Sequence, residues 1–149
     1  MSKVAIIMGS ESDREVVSNS EKVLSDFGID FETKVLSAHR TPDKVHDFAK
    51  NAEARGFSLI IAAAGKAAHL PGVIASFTVL PVIGIPMKTS DLGGLDSLFS
   101  IVQMPKGVPV ATVTINGAEN AGLLAAEIIA LKDNEVKRKL IKFKEGLAK

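Results

Sequence analysis

The sequence predicts a three-layer α/β sandwich, a five-stranded parallel sheet with helices on both faces and a further helix at the C-terminus. Three observations predict it. Short apolar runs alternate with segments of helical periodicity along all 149 residues. The connections between those runs are long enough for crossovers, which parallel strands require. The run Ser58–Ala64 has no alternating polar face, as expected of a strand covered on both sides.

Taken in order, Lys3–Met8 is a first apolar strand ending in Gly9-Ser10-Glu11-Ser12-Asp13. Val16, Val17, Ser20, Val23, Leu24 and Phe27 then recur at helical spacing until Gly28, a residue suited to a left-handed helix stop. Phe31, Thr33 and Val35 alternate with Glu32 and Lys34 in a second strand that ends at Ser37-Ala38-His39-Arg40. Thr41-Pro42 supplies a cap and a first-turn proline for a helix with Val45, Phe48, Ala49 and Ala52 on one stripe. Ser58–Ala64 is the third strand, Pro71–Thr78 a short helix and Pro81–Pro86 the fourth strand.

Met87–Gly94 reads as a polar loop, and Leu95, Leu98, Phe99 and Val102 mark the helix after it. The two prolines of Gln103–Pro109 stiffen the connection to a fifth strand over Val110–Ile115. The helix from Glu119 to Lys132 is apolar nearly all the way round, and is therefore expected to be covered by a second subunit. Asp133 caps a basic terminal helix carrying Val136, Leu140, Phe143 and Leu147 on one side. Five strands in this pattern give the flavodoxin-like order 2-1-3-4-5 within one domain over residues 1–149.

Composition narrows the function. The absence of cysteine removes disulfides, thiolate nucleophiles and cysteine zinc sites. A net charge of +1 and an aromatic content of seven Phe without Trp or Tyr argue against nucleic acid, and no apolar run has the length of a signal peptide core or a membrane span. A cytoplasmic protein is the expectation. Gly65-Lys66 resembles part of a nucleotide P-loop, but Ile60 stands where that motif needs its first glycine and Ala67 where it needs a hydroxyl. No dinucleotide fingerprint, zinc helix or calcium loop is present, so neither metal nor cofactor is expected.

In a sheet of this order, ligands sit beyond the carboxyl ends of the strands where strand order reverses, here between strands one and three. Three loops are expected to meet there. Ser10–Asp13 has capping-box spacing, and the same free amides and carboxylate also suit an anion or a sugar hydroxyl. Ser37–Arg40 sets a proton carrier, His39, beside a guanidinium able to fork onto phosphate, with Ser37 and Thr41 completing the clamp. From Ala62 to Ala68 only Lys66 is larger than a methyl, leaving bare backbone around Gly65; His69 follows, either as a hydrogen-bonded core histidine or as a second proton carrier. His46, among charges on a helix, reads as an ordinary surface residue. The chemistry on offer is proton transfer with anion recognition.

The blocks Met8–Asp13, Ser37–Pro42, Ala67–Gly72, Asp96–Val110 and Asn120–Ala126, in this order, resemble the N5-carboxyaminoimidazole ribonucleotide mutases of de novo purine synthesis over nearly the whole chain. The resemblance implies transfer of a carboxylate from the exocyclic nitrogen of a ribonucleotide to ring carbon C4 without cofactor, in a homo-octamer. It implies that Ser10, Asp13, Ser37, Arg40, Gly65 and Leu70 bind substrate, that His39 transfers the proton, and that His69 lines the carbon dioxide pocket. Two positions depart from the pattern: Lys66, where a small residue is common and the related carboxylases carry Arg, and Gly122, where Ala is usual. Arg40, His69 and Pro71 favour the mutase over a carboxylase using free carbon dioxide; a non-catalytic nucleotide-binding module is the third possibility.

Overall fold

The structure, a computed structural model, describes residues 2–149. Five parallel strands, β1 (Lys3–Met8), β2 (Asp30–Val35), β3 (Leu59–Ala64), β4 (Val82–Pro86) and β5 (Ala111–Thr112), form one sheet in the order β2-β1-β3-β4-β5. The helices are α1 (Arg14–Phe27), α2 (Pro42–Asn51), α3 (Leu70–Phe77), α4 (Leu95–Val102), α5 (Ala118–Ala130) and α6 (Asn134–Leu147), with a 3-10 turn at Glu11–Asp13 before α1. The expected flavodoxin-like order is observed.

Strand parity divides the core in two. Val4, Ile6, Met8, Leu59, Ile61, Ala63, Ile83 and Ile85 face α1, α5 and α6, whereas Ala5, Ile7, Ile60, Ala62, Ala64 and Val82 face α2, α3 and α4. All six residues of β3 are buried, which accounts for its unbroken apolar sequence. Gly28 ends α1 in the left-handed conformation, φ 72°, its N–H donating back to the last turn.

Two expectations need correcting. β5 is two residues rather than six. Val113 N still donates to Gly84 O at 3.1 Å, but the next bond of a parallel ladder requires an N–H at position 86, and Pro86 has none. The apolar helix α5 is covered by its own chain, since α1 and α6 pack on it and its alanines and Gly122 let them close in. Its composition therefore says nothing about a second subunit. On α4, Leu95, Phe99 and Val102 are each about half exposed, while Ser97 and Ile101 point inward. Gly84 is the reason, because a Cβ there would lie 2.5 Å from Ile101 Cγ2; its absence lets that side of α4 seat on β4.

Candidate active site

Parallel strands end together, so the loops after β1, β2 and β3 converge at the strand-order reversal as the topology requires. They enclose a cavity of about 490 Å3. Ser10, Asp13, Ser37, His39, Arg40, Gly65, His69 and Leu70 line it, whereas Thr41, expected to complete the clamp, does not, its hydroxyl being turned onto the backbone of Ser37. Lys66 is at its rim as well.

The first loop is not a capping box. Ser10 Oγ accepts from Ser12 N at 3.3 Å rather than from Asp13, whose N–H bonds to Ser10 O at 3.1 Å, because the chain here winds as a 3-10 turn. The Asp13 carboxylate is left facing the cavity, and burial pushes its pKa up. The second loop is closed on itself: Thr41 Oγ1 donates to Ser37 O at 3.0 Å and accepts from Ser37 N at 3.0 Å. Ser37 Oγ accepts from Arg40 N at 3.1 Å. Arg40 Nη2 donates to Gly9 O at 3.2 Å, so the guanidinium ties the second loop to the first.

The third loop runs from β3 into α3. His69 is exposed to the cavity and is not a core histidine. Its Nδ1 lies 2.8 Å from His39 Nε2, with the ring planes at 88°, so one proton can be shared between residues 30 positions apart. Ala64, Gly65 and Ala67 form a wall with little side chain. Leu70, 2% exposed, supplies its apolar element.

A fourth loop was missed as part of the site. Met87, Lys88, Thr89 and Ser90, following β4, complete the lining. The signal was available, since β4 is the neighbour of β3 in the expected order and its carboxyl end must open on the same side. Lys88 N donates to Asn116 Oδ1 at 2.8 Å, and Thr89 Oγ1 donates to Asp96 Oδ1 at 2.7 Å, fixing this loop from the turn before α5 and from α4. The lining thus carries three cations, Arg40, Lys66 and Lys88, against the single carboxylate of Asp13. That balance suits a phosphate with a second anionic group. No group of three His, Asp or Glu side chains able to hold a metal ion occurs among the described residues.

The family model described as AIR carboxylase matches residues 3–149. The chain belongs to the AIR carboxylase family. Among its relatives in that family, the N5-carboxyaminoimidazole ribonucleotide mutase of Thermotoga maritima is 60% identical over 147 residues, covering 99% of this chain and 86% of the relative. The protein of the same name from Pyrococcus abyssi is 59% identical, with 99% and 84% covered. Among solved structures, that of Treponema denticola PurE superimposes with a TM-score of 0.91 at 32% identity, covering 99% of this chain and 92% of that one.

Proposed function

We propose that this AIR carboxylase-family chain is an N5-carboxyaminoimidazole ribonucleotide mutase, the name its relatives at 60% and 59% identity carry. The observation that carries the reading is the pair of imidazoles in contact at 2.8 Å, set over a wall of Ala and Gly and beside an anchored guanidinium. Arg40, Ser37 and Ser10 hold the ribose phosphate, and Asp13 accepts from a substrate N–H or hydroxyl. The carboxylate leaves the exocyclic nitrogen as carbon dioxide, the N–C bond electrons staying on nitrogen, which takes a proton. Ring carbon C4 then attacks the carbon dioxide and loses its hydrogen as a proton to restore aromaticity. The proton count balances if His39 both delivers the first proton and removes the second, an exchange imidazole performs near neutral pH.

The alanine and glycine wall, with Leu70 and His69, keeps carbon dioxide beside C4, so that recapture competes with escape. No metal or cofactor takes part in this scheme. The protein is read as one mutase domain that works in the cytoplasm as a homo-octamer. The outward Leu95, Phe99 and Val102 of α4, with Leu92 before it, supply an apolar face for contacts between subunits.

The test is an ultraviolet assay without ATP, run in parallel with the carboxyamino ribonucleotide and with aminoimidazole ribonucleotide plus bicarbonate. Rapid turnover of the first alone is expected. Comparable rates with the second would make the protein a carboxylase, and inertness toward both with retained nucleotide binding would make it a binding module. Sedimentation of the purified protein and of Phe99→Glu reads the assembly: an octamer is expected for the first and smaller species for the second.

A further inference from the structure

Two side chains are both polar and fully buried among the described residues, Ser20 and Ser97. Ser20 donates from Oγ to Ala118 O at 2.5 Å and joins α1 to α5, an ordinary packing role. Ser97, inside α4, instead reaches out of its helix: its Oγ accepts from Lys66 N at 2.9 Å. Among the described residues, Lys66 is one of two non-glycine residues in the left-handed region, with φ 56°. A lysine disfavors that conformation and holds it only where neighbours enforce it.

The restraint acts on the backbone of Lys66 through its N–H, since Ser100 Oγ, 3.4 Å from Lys66 O, gives its proton to Asp96 O at 2.7 Å. The lysine side chain makes an exposed pair with Asp91 at 3.4 Å. Beyond Lys66 the chain winds tightly, with Ala68 N donating to Lys66 O at 2.9 Å and His69 N to Ala67 O at 2.8 Å, and then enters α3. A change of φ at Lys66 therefore swings Gly65, on one side of it, against Ala67 and the imidazole of His69 on the other.

We infer that Ser97 is a positioning residue for the reaction proposed above, its buried hydroxyl holding Lys66 left-handed and thereby fixing the loop that brings Gly65, Ala67 and His69 to the cavity. The inference rests on that functional reading. It acts on the reacting end of the site, because the phosphate end is held separately by Arg40 and Ser37.

A double-mutant cycle with Lys66→Gly tests it, since glycine takes positive φ without help. Ser97→Ala is expected to lower kcat by about tenfold to a hundredfold, the scale of a displacement near 1 Å, while KM moves less than about threefold. In the Lys66→Gly background the same change is expected to lower kcat by less than about threefold. Equal losses in both backgrounds would make Ser97 merely structural, and an unchanged kcat in Ser97→Ala would dismiss it altogether. If Ser97→Ala does not fold, Ser97→Cys keeps the shape with a weaker acceptor and goes through the same cycle. Hydrogen exchange at the Lys66 amide gives a readout independent of substrate: Ser97→Ala is expected to speed it by about tenfold or more. Unaltered exchange overturns the inference even if turnover is lost, whereas a wild-type protein inert toward the substrate refutes the functional reading and leaves exchange to decide the role of Ser97.

Discussion

Two stretches of this chain are rich in alanine and glycine, the end of β3 with its loop (Ala62–Ala68) and helix α5 (Ala118–Ala130), and they use small side chains for opposite ends. In α5 the missing atoms let another helix approach. A Cβ on Gly122 would lie 2.9 Å from Val23 Cβ and 3.2 Å from Ser20 O, so α1 occupies the space fully. At Gly65 the nearest atom to an added Cβ is Met87 Cβ at 3.5 Å, an ordinary contact, and the loop opens on the cavity. Small residues thus make contact where another element can close on them and a pocket where converging strand ends hold the neighbours apart.

If that contrast is right, changes in the β3 loop region alter turnover with little effect on stability, and changes in α5 do the reverse. The largest effect is expected from His39→Asn, which should lose about a hundredfold or more in kcat with substrate binding and thermal midpoint retained. A loss below about tenfold, measured in the ultraviolet assay, would remove His39 from the mechanism. Arg40→Ala should weaken substrate binding by about 1.5 to 3 kcal/mol, read by calorimetry; unchanged affinity would refute the phosphate clamp.

The paired glycines sharpen the contrast directly. Gly122→Ala should cost on the order of 1 to 3 kcal/mol in urea unfolding, overpacking outweighing the gain in helix propensity, with kcat/KM unchanged. Gly65→Ala should stay within about 0.5 kcal/mol of the parent while raising KM, its methyl entering the wall between Met87 and Thr89. The smallest effect is expected at Asp13. Its pKa is raised by burial, so its carboxylate opposes folding above the raised value, and the penalty fades as pH falls toward the ordinary aspartate pKa of about 4. Asp13→Asn should therefore gain on the order of 0.5 kcal/mol at pH 7, allowing for solvent screening of a half-buried group, and nothing at about pH 4. Urea midpoints at the two pH values check it.

Much of this was legible in the chain. The unbroken apolar run of β3, the Asp133 cap and the Gly28 stop report local conformation, which a sequence states most directly, although Thr41 makes no side-chain cap to α2 and bonds to Ser37 instead. Strand order then put three loops together without any side-chain geometry. What stayed hidden depended on distant partners. Whether α5 faced solvent or another helix was decided by α1 and α6, and the outward stripe of α4 by the glycine of β4 beneath Ile101. The contact of His39 with His69 spans 30 positions, and a lysine at position 66 gives no sign of a left-handed backbone, which Ser97 enforces from 31 residues away.

Pro86 has a reach beyond shortening β5. Because it cannot fasten the end of β4 to its neighbour, the outer edge of the sheet unzips one step early, and Asn116 N docks on Pro86 O at 2.8 Å in place of a regular ladder bond. Asn116, bent to φ 57°, turns its amide oxygen toward Lys88 N. A proline outside the cavity lining thus routes the chain after β5 back onto the loop that brings Lys88 to the cavity.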